Sequence, residues 1–196
     1  RFATGSLASF GRETNVDLNN KYIVLDMTEM TENLKPLGMF MALDLVWDKA
    51  KESRIQKKVI FLDELWTLIG SGANCLASAY VQEIFRLIRG FGGSAIQATQ
   101  DLSGCFSSDG GKFGKEILNL SSFKIVLHLE EDEAFTVQKH LSLSDEETMQ
   151  IIRSGRGEAL FCANKNKVCI DIKASPLMYD LITTKRSDLE KRKNNF

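Results

Sequence analysis

The chain has 196 residues, of which 43% are hydrophobic, and this is enough for one domain with a sizeable core. Its 25 Lys and Arg residues nearly balance 26 Asp and Glu residues, and the net charge of -1 argues against tight nucleic-acid binding by the domain as a whole. No apolar run approaches the roughly 18 residues of a membrane span, and the four cysteines form no zinc-ligand spacing, so the composition favours a reduced, cytosolic setting.

Short apolar runs alternate along the chain with segments of helical periodicity. Most of the runs are apolar throughout, which is typical of parallel strands covered on both faces. Between them the sequence predicts a helix over 34–53 with Pro36 in its first turn, a second over 76–89, and a third that begins in a capping box of Ser144 and Glu147. This alternation predicts an α/β fold with right-handed crossovers. The predicted strands are 22–27, 58–62, 94–99, 123–129, 159–163 and 168–172.

The last two runs predict a β-hairpin at the sheet edge or on a small appendage. A four-residue turn, 164–167, would place Ala163 opposite Val168 and Cys162 opposite Cys169. In a reducing compartment we expect both cysteines to remain thiols.

The two ends of the chain also carry information. The polar segment 185–196 predicts a solvated tail after a domain that spans 1–184. Because the chain begins with Arg1 rather than Met, we expect it to be part of a longer protein.

Asp26 ends the first predicted strand without a second acid beside it, so we expect it to cap the following segment.

Two adjacent carboxylates, Asp63 and Glu64, follow the apolar run 59–62. Ligands of open α/β sheets bind at the C-terminal ends of the strands. Mg²⁺ sheds its waters reluctantly, so the first carboxylate suits a water-mediated Mg²⁺ contact, and the second suits accepting a proton from the water that attacks a γ-phosphate. The alternative is a strand followed by the acidic start of a helix.

Gln100 follows the next predicted strand, after Ala98 and Thr99. Because successive parallel strands end at one edge of a sheet, we expect Gln100 to lie near Asp63 and Glu64. An amide at this position suits orienting the attacking water or sensing the γ-phosphate. The alternative is an ordinary polar residue in a loop.

Arg86 and Arg89 lie on one face of the helix between these two strands. Such arginines could neutralise charge at the nucleotide of a neighbouring subunit. The alternative is a solvated face with a Glu83–Arg86 ion pair. We expect Gly92 and Gly93 to end the helix and open the next strand.

The combination of these motifs resembles a known family. The strings DELWTLI at 63–69 and FRLIRGFGGSAIQATQDLSG at 85–104 are similar to the conjugative type IV secretion ATPases of the VirB/TraC class. The opening stretch GSLASF with TNVD, and the element SGRGEAL at 154–160, extend the resemblance over essentially the whole chain. Other motor ATPases share D-E and A-T-Q, whereas the surroundings of Trp66 and the run GGSAIQATQ are more specific.

This resemblance implies a RecA-like additional-strand P-loop ATPase core, with a mostly parallel sheet flanked by helices and a C-terminal hairpin. By position, Asp63 and Glu64 match the Walker B pair, with Asp63 holding Mg²⁺, and Gln100 matches the glutamine that contacts the water or the γ-phosphate of ATP. Arg89 matches the arginine that acts in trans. Arg86 is the alternative, because Gly90 stands where many members have Lys.

The resemblance also implies a hexameric motor that powers conjugative DNA transfer or pilus assembly. Its implied partners are other copies of itself, other type IV secretion components, the coupling protein and DNA, at the cytoplasmic face of the inner membrane. Two rival interpretations are a DNA-translocating coupling protein of the same superfamily and a non-catalytic secretion scaffold. The joint presence of the acidic pair, the glutamine and the arginines argues against the scaffold.

A phosphate-binding loop of the form G-x-x-x-x-G-K-[ST] is missing from the sequence. The nearest match, 109–116, has Asp109 at the first glycine position and Glu116 in place of Ser or Thr, and it follows the acidic pair instead of preceding it. We therefore expect the loop upstream of Arg1 in the complete protein and no ATPase activity from this chain alone. An intact upstream loop is required for the ATPase and the coupling protein and is dispensable for the scaffold.

Overall fold

The computed structural model describes residues 16–31, 33–64, 75–100, 106 and 111–193. The chain divides into two compact units, Arg1–Gln100 and Asp101–Phe196. The first unit contains α1 (Lys35–Lys51), β1 (Lys58–Asp63), α2 (Cys75–Leu87), a 3₁₀ turn (Ile88–Phe91) and β2 (Gly93–Ala98). The second contains α3 (Lys112–Leu120), β3 (Phe123–Val126), α4 (Glu131–Leu141), α5 (Asp145–Arg153), β4 (Glu158–Ala163), β5 (Asn166–Asp171), α6 (Pro176–Ile182) and α7 (Arg186–Lys193).

The helices of the first unit supply most of its buried side chains. Trp47 of α1 is 1% exposed, and the edge of its ring contacts Phe91, with ring centroids 5.5 Å apart. Val81 and Ile84 of α2 are fully buried. The Tyr80 hydroxyl donates a hydrogen bond to Asp44 Oδ1 at 2.6 Å and so links the two helices. Burial, together with this hydrogen bond, raises the pKa of Tyr80.

The two strands of the first unit are parallel, and Lys58 fixes their starting edge. Their register runs from Lys58 opposite Gly93 to Asp63 opposite Ala98. The Lys58 ammonium donates to the carbonyls of Ala50 at 2.7 Å, Phe91 at 3.0 Å and Ser53. One side chain therefore ties the end of α1 and the 3₁₀ turn to the beginning of β1.

One face of this parallel pair is exposed in the part of the chain that the structure describes. Ile60 is buried, whereas Val59 and Phe61 on the opposite face are 63% and 62% exposed, and Ile96 of β2 is also exposed. The prediction that both faces are covered is wrong for the described residues. An apolar run identifies a strand but does not supply the layer that would cover its second face.

Gly92 connects the 3₁₀ turn to β2, as the sequence predicted. Its φ of 72° lies in the left-handed region, and its N–H donates to the Arg89 carbonyl. A Cβ at this position would lie 2.6 Å from the carbonyl oxygen of Arg54. Glycine is therefore required here on two grounds, the dihedral angle and the close backbone approach.

The second unit is built on an antiparallel sheet of order β3-β4-β5. Its core lies between one sheet face and the helices α4 and α5. The predicted capping box of α5 is present, because Ser144 Oγ accepts from Glu147 N–H and Glu147 Oε2 accepts from Ser144 N–H. Lys167 of β5 donates to the same Glu147 oxygen at 2.9 Å. The buried core residues are Ala134, Val137, Leu143, Ile151, Leu160 and Cys162.

The C-terminal hairpin is present, but its register differs from the predicted one by two residues. Ala163 lies opposite Asn166, and Cys162 lies opposite Lys167 and not opposite Cys169. The turn contains two residues, because Asn164 adopts a left-handed φ of 55°. Both cysteines are free thiols, as expected, and burial raises the pKa of Cys162.

Two strand predictions need correction, although the α/β class with a parallel sheet flanked by helices is confirmed. Residues 22–27 form no strand, and Tyr22 is 86% exposed. The predicted strand 123–129 is shorter, Phe123–Val126, and pairs antiparallel with β4. Asp26 forms a local cap, as predicted, since it accepts hydrogen bonds from the Thr28 hydroxyl and N–H, which lower its pKa.

The polar segment at the end of the chain contains α7, a helix in place of the expected frayed tail. An Arg186–Glu190 ion pair at 2.8 Å joins successive turns. The carboxylate of Asp188 accepts a hydrogen bond from the Thr183 hydroxyl at 3.1 Å, which links α7 to the end of α6. None of the helices in the described ranges has the length and apolar character that crossing a bilayer requires.

Candidate functional site

The acidic pair lies where the two parallel strands end together. Asp63 is the last residue of β1 and pairs with Ala98, the last residue of β2. Beyond this pair, the N–H of Glu64 donates to the Ala98 carbonyl at 3.1 Å. The parallel register thus brings the carboxyl ends of both strands to one edge of the sheet, where open α/β sheets bind ligands.

Glu64 and Gln100 are in direct contact at this edge. The backbone N–H of Gln100 donates to Glu64 Oε1 at 3.2 Å. The expected proximity of these two residues is therefore confirmed, and it is the backbone of Gln100 that makes the contact. This hydrogen bond links the Glu64 carboxylate to the backbone of the segment that follows β2.

Glu64 has a positive φ of 49°, which places it in the left-handed region. This conformation turns the chain sharply directly after Asp63. Residues with side chains adopt it at a cost, and such strain is concentrated at functional sites. The sequence pattern gave no signal for it, because Glu has no preference for this region.

The Asp63 side chain is exposed, and its carboxylate forms no hydrogen bond or ion pair with any other residue that the structure describes. Its carboxylate is therefore accessible to a hydrated cation. Within the described ranges, no three His, Cys, Asp or Glu side chains are grouped closely enough to hold a metal ion. A lone carboxylate fits Mg²⁺, which keeps several waters and takes one or two protein carboxylates beside substrate phosphates.

The structure does not bring the two arginines to this edge. Arg86 lies in the last turn of α2 and Arg89 in the 3₁₀ turn, so both precede β2, whereas Gln100 follows it. A six-residue strand places its two ends about 20 Å apart. Both arginines are exposed. We therefore expect neither guanidinium to act on a phosphate held beside Glu64 of the same subunit.

One polar group near this edge was not singled out in the sequence. Gln97, opposite Leu62 in the register, has a side-chain oxygen that is buried without a donor among the described residues. A buried acceptor without a partner is uncommon in folded proteins. An apolar-strand pattern with one embedded amide is too frequent to mark such a residue in advance.

Comparisons with known proteins identify the family and the fold. The family model of the TraG P-loop domain matches residues 10–183. The structure of VirB4 from Thermoanaerobacter pseudethanolicus superimposes with a TM-score of 0.70 and 24% sequence identity, over 76% of this chain and 40% of that one. No curated protein sequence matched the chain. This chain thus spans less than half the length of the VirB4 structure.

The two matches bear on different statements. The structural match shows that the chain has the fold of the corresponding part of VirB4, and the family match covers most of the chain. Together they confirm the resemblance to the conjugative type IV secretion ATPases that the motifs suggested. The chain belongs to the TraG P-loop domain family.

Proposed function

We propose that this chain is the part of a motor ATPase that activates water and holds Mg²⁺, in a protein that energises conjugative DNA transfer by type IV secretion. The observation that carries the proposal is the hydrogen bond from Gln100 N–H to Glu64 Oε1, at the edge where β1 and β2 end. A carboxylate and a glutamine segment coupled at the carboxyl ends of parallel strands suit hydrolysis of a γ-phosphate.

Each residue has a separate role in the proposal. Asp63 holds the hydrated Mg²⁺, which neutralises charge on the phosphates of ATP. Glu64 accepts the proton of the attacking water. Gln100 orients that water or senses the γ-phosphate, and its link to Glu64 couples the two functions. Arg89, with Arg86 as the alternative, neutralises transition-state charge at the site of a neighbouring subunit.

The position of the arginines supports an assembly of several subunits. Because they lie at the opposite end of β2 from Glu64, the proposed role requires a second subunit, and a closed hexameric ring satisfies this requirement for every site. Other secretion components, the coupling protein and DNA are the proposed partners, at the cytoplasmic face of the membrane. A DNA-translocating coupling protein is the second candidate within the superfamily, and it shares the same site.

The test is ATP hydrolysis by the complete protein with Glu64→Gln. The substitution keeps the size of the side chain and its acceptor oxygen but removes the proton acceptor. We expect turnover to fall at least about 100-fold while binding of a fluorescent ATP analogue is retained. Glu52→Gln makes the same chemical change at an exposed residue that follows α1, beside the end of the sheet where β1 begins, and should leave turnover unchanged. Turnover near the wild-type rate in Glu64→Gln would contradict the proposal and favour the scaffold.

This chain alone is expected to hydrolyse ATP no faster than background. The N–H groups and the Lys of a Gly-rich loop position the β- and γ-phosphates, and the sequence has no such loop. Without them Glu64 has no positioned phosphate to act on. The measurement is phosphate release by the purified chain, and turnover that disappears in Glu64→Gln would refute the expectation.

A further inference from the structure

A cleft in the second unit is lined by four lysines. Two adjoining cavities of about 130 Å³ and 220 Å³ share Leu118, Asn119 and His140 as walls. Lys115 of α3 and Lys139 of α4 line the larger cavity, and Lys124 of β3 and Lys167 of β5 line the smaller one. We call this region the lysine cleft, defined by Lys115, Lys124, Lys139 and Lys167 with the amides of Asn119 and Asn164.

Every charged residue in the lining is basic, although the whole chain has a net charge of -1. Only Lys167 is neutralised, since it donates to Glu147 at 2.9 Å and to the Ser142 carbonyl at 2.6 Å. Lys115, Lys124 and Lys139 form no ion pair or hydrogen bond with any other described residue. The cleft thus brings together three lysines that have no anionic partner among the described residues, and such a local excess of positive charge attracts anions.

His140 reports the potential inside the cleft. Its ring stacks on Phe106, with centroids 3.8 Å apart and planes 7° from parallel. Burial and the nearby charges of Lys115 and Lys139 lower the pKa of His140. The stacked ring of His140 forms one wall of the cleft.

We propose that the lysine cleft binds a phosphate group. Lysine ammonium groups and side-chain amides can donate hydrogen bonds to the oxygens of a phosphate. Among the described residues, no carboxylate lines the cleft to repel it. Three elements form the walls of the cleft: the end of α3, the end of α4 and the β4–β5 hairpin. The phosphate belongs either to a free phosphate compound or to the backbone of a single nucleic-acid strand.

This site is independent of the proposed ATPase role. None of Asp63, Glu64, Arg86, Arg89 and Gln100 lines the cleft. The net charge of the chain argued against nucleic-acid binding by the whole domain, whereas a local excess of cations is compatible with one phosphate site. Failure of the ATPase proposal would leave this inference intact, and the reverse holds as well.

The first experiment uses the chain with inorganic phosphate as the probe. NMR follows the His140 ring and the side-chain amide signals of Asn119 and Asn164 during a phosphate titration, against chloride at equal ionic strength. A bound phosphate offsets the charges of Lys115 and Lys139, so the pKa of His140 should shift upward. The second probe is a fluorescein-labelled oligodeoxythymidylate, measured by fluorescence anisotropy.

The variant is the double substitution Lys115→Gln and Lys139→Gln. It should weaken binding of the responding probe at least about tenfold, because two charge-assisted contacts are lost. For the oligonucleotide, the slope of log K against the logarithm of the salt concentration should become less negative by about 1.4, the value expected when two phosphate contacts on a single strand are lost. The control, Lys21→Gln with Lys57→Gln, makes the same charge change at exposed residues outside the cleft and should bind as wild type does.

Each outcome decides the proposal. A response to inorganic phosphate supports the free compound as the source, and a response to the oligonucleotide alone supports the nucleic-acid backbone. No response to either probe overturns the proposal, as does equal binding by the double variant. Polyglutamate that binds while both phosphate probes fail would also overturn it and indicate an acidic peptide site. If the double variant fails to fold, the phosphate titration of the wild-type chain, followed at the His140 ring, still tests the proposal.

Discussion

The backbone of Glu64 lies in the left-handed region, with φ of 49°, at the last turn before the chain leaves the sheet. For a residue with a Cβ this conformation costs about 1 to 2 kcal/mol. Two hydrogen bonds hold it in place, from Glu64 N–H to the Ala98 carbonyl and from Gln100 N–H to Glu64 Oε1. The residue that carries the proposed chemistry is therefore held in a strained conformation by the neighbouring strand.

This strain predicts an unusual order of stabilities. Glu64→Gly and Glu64→Ala both remove the hydrogen bond to Gln100, but only glycine adopts a positive φ without strain. We expect Glu64→Gly to be more stable than Glu64→Ala by about 1 kcal/mol, after the larger unfolded-state entropy of glycine is subtracted. Urea unfolding of the chain measures the difference. An alanine variant as stable as the glycine variant would show that Glu64 is not left-handed.

For the candidate site residues, the sequence predicted their place in the sheet better than their backbone conformation. An apolar strand that ends in Asp63 and Glu64, and a second that ends near Gln100, were sufficient to place these residues at one edge, because parallel strands end together. The left-handed Glu64 and the use of the Gln100 backbone could not be predicted, since both depend on the register between the strands. The separation of the arginines from this edge likewise became evident only from the length of β2.

The connection between α2 and β2 shows how one element positions the next. The 3₁₀ turn ends at Gly92, which packs against the Arg54 carbonyl, while Lys58 donates to the Phe91 carbonyl from the adjacent strand. These contacts fix the start of β2 relative to β1. The far ends of the same strands carry Glu64 and Gln100, so an error at the start would propagate to the candidate site.

Two glycines of this connection provide a matched test. In Gly92→Ala the new Cβ would meet the Arg54 carbonyl oxygen at 2.6 Å in a left-handed conformation, so we expect a loss of about 2 kcal/mol or more. In Gly90→Ala nothing lies within 4 Å, and stability should change by less than about 0.5 kcal/mol. Thermal and urea unfolding of both variants measure this, and equal losses would contradict the described packing.

Two elements that the sequence predicted wrongly depend on features that hydrophobicity does not encode. The apolar run 22–27 lacks a pairing strand among the described residues, and hydrophobicity alone does not provide one. The hairpin has a two-residue turn, in place of the predicted four-residue one, because Asn164 adopts a left-handed φ without the Asn-Gly pair that usually marks such a turn. The shift of two residues keeps each side chain on its expected face, so the hairpin retains its buried side.

On the scale of the whole molecule, each unit leaves an apolar sheet face exposed. In the first unit these residues include Val59 and Phe61, and in the second they include Phe123, Ile125 and Val168. Faces of this kind are usually covered by other protein surfaces. The exposure agrees with a role in a larger assembly, as the proposed motor requires.

The final prediction concerns that assembly. Arg89 lies in the 3₁₀ turn before β2, whereas Glu64 lies at the opposite edge of the strand pair, and we propose that this arginine acts on the nucleotide of the next subunit. In the complete protein, Arg89→Ala should reduce turnover by roughly 10³-fold, but only in the assembled oligomer. ATP hydrolysis measured across a range of protein concentrations, with the oligomeric state followed in parallel, tests this dependence.

Mixing two inactive variants separates action within a subunit from action between subunits. Glu64→Gln subunits retain Arg89, and Arg89→Ala subunits retain Glu64, so about a quarter of the interfaces in an equal random ring contain both intact groups. We therefore expect the mixture to regain part of the wild-type turnover. As a control, either variant mixed with the double variant forms no interface with both groups and should stay inactive. If subunits exchange but no mixing ratio restores turnover, Arg89 does not act in trans, and its exposed side chain belongs to a solvated helix face.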